Sequence, residues 1–250
     1  MVRKCVVLFG LVLVACSPDT APTESTAETP AYTAPPVALG VQARGSGDLV
    51  IEGRAGPDER VRVIQLDGTA HGVTADAAGV FAISVPGGPR ADRLFNLSVD
   101  RSGQSVSSDG WLFSPEAAPE RAVMLRVGGA SLPVGPAPLL AVVDMDGGGG
   151  VAVSGLADPG ATVAVAVDGE RRGSVTAGPD GRWSLVLTST LAQGPHRITA
   201  SAGELRDSRD VVLVSQTPST ALESASVDGA IRVAWSLPGG GSQTTWILLP

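Results

Sequence analysis

Two stretches of the sequence follow the same pattern of residues at a fixed distance. Residues 51–57 align with residues 153–159 at an offset of 102 positions. The same offset pairs Phe81 with Trp183. Self-similarity over such a period is most simply explained by two copies of one structural module. We therefore predict that the chain contains two tandem domains with the same fold.

Apolar and polar side chains alternate within each copy. Valines occupy every second position over residues 162–167, and apolar side chains do so over residues 81–85 and 183–187. Alternation of this kind, with β-branched and aromatic residues, is typical of half-buried β-strands. Asp-Gly pairs, which favour tight turns, stand at residues 67–68, 168–169 and 180–181. Because 32 glycines and 19 prolines among 250 residues also disfavour long helices, we predict an all-β fold with two β-sandwiches.

The second copy carries three further motifs. They are Gly-Leu-Ala-Asp-Pro-Gly-Ala-Thr-Val at 155–163, Asp-Gly-Arg-Trp-Ser at 180–184, and Gly-Pro-His-Arg-Ile-Thr-Ala at 194–200. In sequence and spacing these motifs resemble the bacterial immunoglobulin-like (Ig-like) domains that occur in tandem in exported proteins. The first copy is more divergent, since Phe81 replaces the tryptophan of the motif. The resemblance implies Ig-like sandwiches and an exported setting, but no single activity, because one fold hosts many functions.

The N-terminus has the features of an export signal. Two positive residues precede an apolar run over residues 5–15, which is shorter than the ~20 residues that span a bilayer. The run ends in Leu-Val-Ala-Cys at 13–16, which resembles the lipobox of bacterial lipoproteins. The resemblance implies cleavage before Cys16, a lipid on Cys16, and a place in the bacterial cell envelope. Because Ser17 is not the Asp that retains lipoproteins at the inner membrane, the outer membrane is favoured, on its periplasmic face or at the cell surface. An ordinary secretory signal is the alternative.

The composition divides the chain into five segments. The region after the signal is rich in Pro and Thr and has too few apolar residues to offset the entropy cost of ordering it. The predicted segments are a lipoprotein signal peptide at 1–15, the lipidated Cys16 with a disordered tether at 16–36, Ig-like sandwich 1 at 37–133, Ig-like sandwich 2 at 134–216, and a C-terminal β-hairpin segment at 217–250.

Charge and reactive residues argue against several classes of function. A net charge of −7 disfavours nucleic acid as a partner, because phosphate contacts need a basic surface. The two histidines, His71 and His196, lack neighbours at metal-ligand spacing, and no nucleophile-elbow or zinc-protease motif occurs. We therefore predict no catalytic residues, no cofactor and no enzymatic activity. An enzyme, or an enzyme accessory, with an unrecognised site stays the alternative.

One acidic stretch is a weak candidate for a metal site. Asp144 and Asp146 lie in the sequence Asp-Met-Asp-Gly-Gly-Gly-Gly, and Asp158 follows the next predicted strand. Calcium needs about six to eight oxygen ligands, and no acidic residue closes this loop. A hairpin loop is the favoured interpretation, and a weak Ca²⁺ site at the three aspartates is the alternative.

The C-terminal segment supplies the candidate contact surface. Trp235, Trp246, Ile247 and Leu248 lie on two apolar stretches that flank a glycine-rich loop. An isolated hairpin is marginally stable in water, so this one must pack either on the second domain or on a partner. Exposed tryptophans would form a platform for a ligand, whereas buried ones would belong to the core.

Together these observations predict a membrane-anchored exported lipoprotein that acts as a non-enzymatic binding or spacer module. The lipid on Cys16 would hold it at the membrane. The expected partner is an envelope protein or a wall polymer, bound through loops or by strand addition at a sheet edge. A carbohydrate-binding envelope protein is the alternative.

Overall fold

The computed structural model describes residues 34–45, 47–87 and 91–250. Within these ranges every regular element is a β-strand, apart from the 3-10 turn Pro119–Arg121. The same ranges contain no helix long and apolar enough to cross a membrane. The predicted signal peptide, Cys16 and the tether up to residue 33 lie outside the described residues. The described residues form one compact unit.

Nine antiparallel strands build the first sandwich in the part of the chain that the structure describes. They are β1 (Val37–Arg44), β2 (Asp48–Arg54), β3 (Arg60–Gln65), β4 (Ala70–Thr74), β5 (Val80–Val85), β6 (Arg93–Arg101), β7 (Gln104–Ser114), β8 (Val123–Leu125) and β9 (Leu132–Pro133). One sheet has the order β1-β2-β5, and the other has the order β4-β3-β6-β7-β8-β9. Phe81, Ile83 and Val85 are buried while the residues between them are exposed, as the alternating pattern predicts.

The second sandwich contains ten antiparallel strands. They are β10 (Val142–Asp146), β11 (Val151–Leu156), β12 (Thr162–Val167), β13 (Glu170–Thr176), β14 (Arg182–Val186), β15 (Gly194–Ala202), β16 (Leu205–Leu213), β17 (Leu222–Val227), β18 (Ala230–Ser236) and β19 (Ser242–Leu248). The sheets have the orders β14-β11-β10-β19-β18-β17 and β13-β12-β15-β16. The C-terminal segment therefore continues one sheet of this sandwich, with Ile247 of β19 opposite Val142 of β10.

The two copies have equivalent strand orders. The sheet β1-β2-β5 corresponds to β10-β11-β14, and β4-β3-β6-β7 corresponds to β13-β12-β15-β16. Each copy thus places three strands against four, the seven-strand plan of Ig-like domains. The predicted all-β class with two tandem Ig-like sandwiches is confirmed.

One packing requirement is repeated in both copies. Gly53 lies opposite Phe81, and Gly155 lies opposite Trp183. A Cβ atom at Gly53 would come within 2.4 Å of the Phe81 ring, and one at Gly155 within 2.0 Å of the carbonyl oxygen of Leu139. Trp183 donates its indole N–H to that same carbonyl at 2.9 Å. Both copies therefore need a glycine in the strand beside the aromatic residue.

We expect Gly155→Ala to lower the unfolding free energy by about 2–3 kcal/mol, because the added methyl group must displace backbone. Chemical denaturation of the wild-type chain and the variant measures this loss. Gly72→Ala is the matched control, because the nearest atoms lie 3.7 Å from the added Cβ. That control should change the unfolding free energy by less than about 0.5 kcal/mol. Equal losses in the two variants would contradict the packing argument.

A third cluster of buried side chains joins the two sandwiches. Its buried members come from β7, β8, β10, β18, β19 and the residue before β10, namely Phe113, Val123, Leu125, Ala141, Val142, Ile231, Val233, Trp235 and Ile247. Strand β19 is buried along its whole length, because its two faces contribute to different clusters. Strands β18 and β19 are therefore an internal layer that packs between the two sandwiches.

Candidate functional site

The four residues predicted as a partner contact belong to the interior. Trp246 and Leu248 lie in the core of the second sandwich, and Trp235 and Ile247 lie in the third cluster. None of the four is more than 3% exposed. The expected contact surface is therefore corrected: β19 pairs with β10 and continues the sheet, so these side chains pack on the chain itself. An aromatic platform for a carbohydrate is not present at Trp235 and Trp246 either.

Asp144 lies at the centre of a buried polar cluster. Its Oδ2 accepts a hydrogen bond from the backbone N–H of Ser131 at 2.6 Å. Its Oδ1 accepts hydrogen bonds from the Ser131 hydroxyl at 2.8 Å, the Gln243 side-chain amide at 2.8 Å and the Thr245 hydroxyl at 2.6 Å. Ser131 precedes β9, whereas Gln243 and Thr245 lie on β19. One carboxyl group thus connects the first sandwich to the C-terminal strands.

Burial and hydrogen bonding shift the pKa of this carboxyl group in opposite directions. Burial raises the pKa of Asp144, because the charged form loses its hydration, and the four donors oppose that rise. The carboxyl oxygens are occupied by donors from the protein. The arrangement suits a structural link rather than acid–base chemistry on a substrate.

The structure does not bring the three calcium candidates together. Asp146 Oδ1 accepts hydrogen bonds from the N–H groups of Gly148 at 2.7 Å and Gly150 at 2.9 Å, and so closes the turn between β10 and β11. Asp158 is exposed in the turn after β11. Asp144 is buried among its donors. In the part of the chain that the structure describes, no three Asp, Glu, His or Cys side chains are grouped to hold a metal ion.

His196 connects two loops of the second sandwich. Its Nδ1 lies 2.7 Å from Asp168 Oδ2, and its Nε2 lies 2.9 Å from the carbonyl oxygen of Ala192. The backbone N–H of Arg197 donates to Asp168 at 2.8 Å. This hydrogen bond, followed by the contact with His196, lowers the pKa of Asp168. The ring of His196 therefore helps to hold these two loops together.

A cavity of about 260 Å³, which we call the Arg93 cavity, opens at one end of the first sandwich. Arg93 on β6 and Ser114 on β7 lie opposite each other in the strand register, and both line the cavity. Arg93 Nη2 donates to Gln65 Oε1 and to the carbonyl oxygen of Pro86, each at 3.0 Å. The guanidinium carbon lies 5.3 Å from the centre of the Phe95 ring. No sequence motif marks this pair, because only the β6–β7 register brings the two residues together.

Two polar atoms at the Arg93 cavity have no hydrogen-bond partner among the described residues. They are Arg93 Nη1 and Ser114 Oγ, and both are buried. Burial lowers the pKa of the Arg93 guanidinium, and the charges of Asp48 and Asp67 oppose this shift. Within the described ranges Arg93 forms no ion pair.

Comparison with known proteins finds only distant similarity to solved structures. No protein-family model matches the chain, and no curated protein matches it in sequence. Similar solved structures include the central fibronectin-III array of RIM-binding protein, with 15% identity, a TM-score of 0.29, and coverage of 84% of this chain and 74% of that one. The D0-D1 domain of intimin has 10% identity, a TM-score of 0.26, and coverage of 71% and 97%. Invasin, a bacterial integrin-binding protein, has 14% identity, a TM-score of 0.22, and coverage of 86% and 54%. At these identities and scores the similarity says nothing about a ligand or a partner.

Proposed function

We propose that this protein is an exported lipoprotein that acts as a non-enzymatic binding and spacer module in the bacterial cell envelope. The observation that carries the proposal is the third cluster of buried side chains, which joins two Ig-like sandwiches into one unit. A unit of this kind presents its loops and sheet edges in one arrangement, because buried side chains pack between the two sandwiches. A fixed arrangement is what a spacer or a docking module requires.

The membrane anchor in this proposal is a lipid on Cys16. It is supported by the lipobox-like sequence Leu-Val-Ala-Cys at 13–16 and by the apolar run that precedes it. Acyl chains contribute about 0.8 kcal/mol of membrane affinity per buried methylene group, so two or more chains anchor a protein stably. Ser17 favours the outer membrane, and the net charge of −7 favours a partner other than nucleic acid.

We expect Cys16→Ala to move the protein from the membrane fraction to the soluble fraction of its source cells. Fractionation followed by immunoblotting measures the shift, and mass spectrometry of the wild-type N-terminus measures the acyl groups. Cys5→Ala is the matched control, because Cys5 lies in the segment that cleavage would remove. Membrane retention of the Cys16 variant would contradict the anchor.

The partner is expected to be an envelope protein or a wall polymer. Crosslinking and affinity capture from intact cells, with wild type and Cys16→Ala side by side, tests this. A specific protein or wall fragment that is enriched with the wild type supports the binding module. Recovery of neither class from either form would contradict it.

A further inference from the structure

We propose that a second copy of this chain pairs with strand β16, so that two molecules form one continuous antiparallel sheet centred on Ser208. Strand β16 (Leu205–Leu213) lies at one edge of the sheet β13-β12-β15-β16. An unpaired strand edge is a ready surface for strand addition. This self-association goes beyond the proposed function, because it needs neither the lipid anchor nor an envelope partner.

Backbone groups along one side of β16 have no partner strand. Strands β15 and β16 are joined by a two-residue turn, at whose end Ala202 lies opposite Leu205. The pair that closes such a turn exchanges hydrogen bonds, and bonded and non-bonded pairs alternate from there. The odd-numbered residues of β16 therefore bond to β15, whereas the N–H and C=O groups of the even-numbered residues from 206 to 212 point away from it. Among the described strands none pairs with this side of β16.

The charges along β16 are self-complementary. Around Ser208 the sequence reads Arg-Asp-Ser-Arg-Asp. In an antiparallel pair with Ser208 opposite Ser208, Arg206 of one copy faces Asp210 of the other. In the same pair Asp207 faces Arg209. Every charged residue of this stretch then faces its opposite, and such cross-strand pairs stabilise a sheet.

The order of charges also selects the register of the two strands. Because only even-numbered residues point their backbone groups outward, the strands can slide past each other only in steps of two residues. One step in one direction places Arg209 opposite Arg209, and one step in the other places Asp207 opposite Asp207. Like charges in these positions are destabilising. Charges that protect a sheet edge repel an added strand, whereas these attract a second copy in one register.

One charge pair on the outer face of β16 is already formed, and another charge lies ready beside it. Arg197 on β15 donates to the Asp210 carboxylate from Nε at 2.8 Å and from Nη2 at 2.7 Å. These hydrogen bonds lower the pKa of Asp210. Arg206 is exposed on the same face and forms no ion pair among the described residues. In the proposed dimer Asp210 would lie between Arg197 of its own copy and Arg206 of the second copy.

A groove beside β16 matches an exposed leucine of the second copy. The groove has a volume of about 250 Å³, and its apolar lining comes from Val211, Val212, Val214, Val227, Ala230 and Trp246. The remaining lining residues are charged. In the register centred on Ser208, Val211 faces Leu205 of the second copy. Leu205 is 61% exposed, and it lies on the same side of the strand as Val211 because the two are an even number of residues apart. Its insertion into the groove would remove apolar surface from water.

Sedimentation of the full chain in its Cys16→Ala form is the first test, because a membrane anchor then cannot bring copies together. We expect a reversible dimer whose dissociation constant rises at least tenfold in Arg206→Asp, since two like-charge pairs replace two ion pairs. The melting temperature should stay the same, because Arg206 is exposed. Arg171→Asp is the matched control, because Arg171 is exposed on β13, at the other edge of the same sheet. That control should leave the dissociation constant unchanged.

Crosslinking through an introduced cysteine tests the register. Ser208→Cys, in a chain whose two native cysteines are replaced by alanine, should form a disulfide-linked dimer under mild oxidation. Facing residues of a hydrogen-bonded pair have Cα atoms about 5.5 Å apart, which a disulfide can bridge. Val212→Cys is the matched control: Val212 is exposed on the same face but faces Glu204 of the second copy. We expect the linked dimer to form at least tenfold faster through residue 208 than through residue 212.

Three results would each overturn the proposal. They are a chain that stays monomeric at concentrations up to about 1 mM, equal effects of Arg206→Asp and Arg171→Asp, and equal crosslinking rates through residues 208 and 212. None of these measurements involves a membrane or an envelope partner, so their outcome is independent of the outcome at Cys16.

Discussion

Replacing Trp235 with alanine should lower the unfolding free energy of the chain by about 3–5 kcal/mol, and the two sandwiches should then unfold separately. Trp235 is 3% exposed and lies in the third cluster with Phe113 of the first sandwich and Ile247 of β19. Its indole N–H also points to the Thr245 hydroxyl at 3.4 Å. Truncation would leave a large cavity in the cluster that joins the two domains, so their coupling would weaken.

Denaturant titration, followed by two spectroscopic probes, measures this effect. The wild type should show one transition by both probes, and Trp235→Ala should show two. Trp246→Ala is the matched control, because Trp246 is equally buried but belongs to the core of the second sandwich. That variant should destabilise the second sandwich while the joining cluster keeps its tryptophan. A single, unshifted transition for Trp235→Ala would contradict a joining role.

The two sandwiches can be predicted from the sequence, because the pattern that indicates each strand lies within a few neighbouring residues. The alternating valines at 163, 165 and 167 are all fully buried, and the duplicated Gly and aromatic residues lie opposite each other in both copies. Successive side chains of a strand point to opposite faces, so a strand with one buried face shows alternating apolar and polar residues in its sequence. The same sequence pattern, present twice, then predicts two equivalent domains.

The third cluster could not be predicted in the same way. Residues 242–248 read as a mixture of polar and apolar residues, because Thr244, Thr245 and Gln243 are polar, yet the whole strand is buried. Their burial is possible because Gln243 and Thr245 donate to Asp144, a residue far away in sequence. The outer face of β19 is covered because the two domains pack against each other. A local sequence pattern does not indicate how two domains pack.

The Arg93 cavity was hidden for a related reason. Arg93 and Ser114 each look like ordinary strand-end residues, and the acidic stretch at 144–146 looked more like a site. Asp144 has donors for its oxygens, whereas Arg93 Nη1 and Ser114 Oγ have no hydrogen-bond partner among the described residues. Satisfaction of hydrogen bonds is a property of the fold, so it becomes visible only in three dimensions.

Asp144→Ala should lower the unfolding free energy by about 3–5 kcal/mol, because it leaves four buried donors without an acceptor. Chemical denaturation measures the loss. Asp146→Ala is the matched control two residues further along, because Asp146 is exposed and its side chain accepts from the two amides of the turn. We expect that control to lose about 1 kcal/mol.

The pH dependence of this loss tests the electrostatics of the cluster. Folding raises the pKa of Asp144, so the folded chain holds its proton to a higher pH than the unfolded chain does. The contribution of Asp144 to stability therefore falls as the pH rises from its ordinary pKa through the raised value. The stability difference between wild type and Asp144→Ala should accordingly shrink over that interval. A difference that grows with pH would contradict this. It would show that the four hydrogen bonds lower the pKa of Asp144 by more than burial raises it, so that folding favours the charged carboxylate.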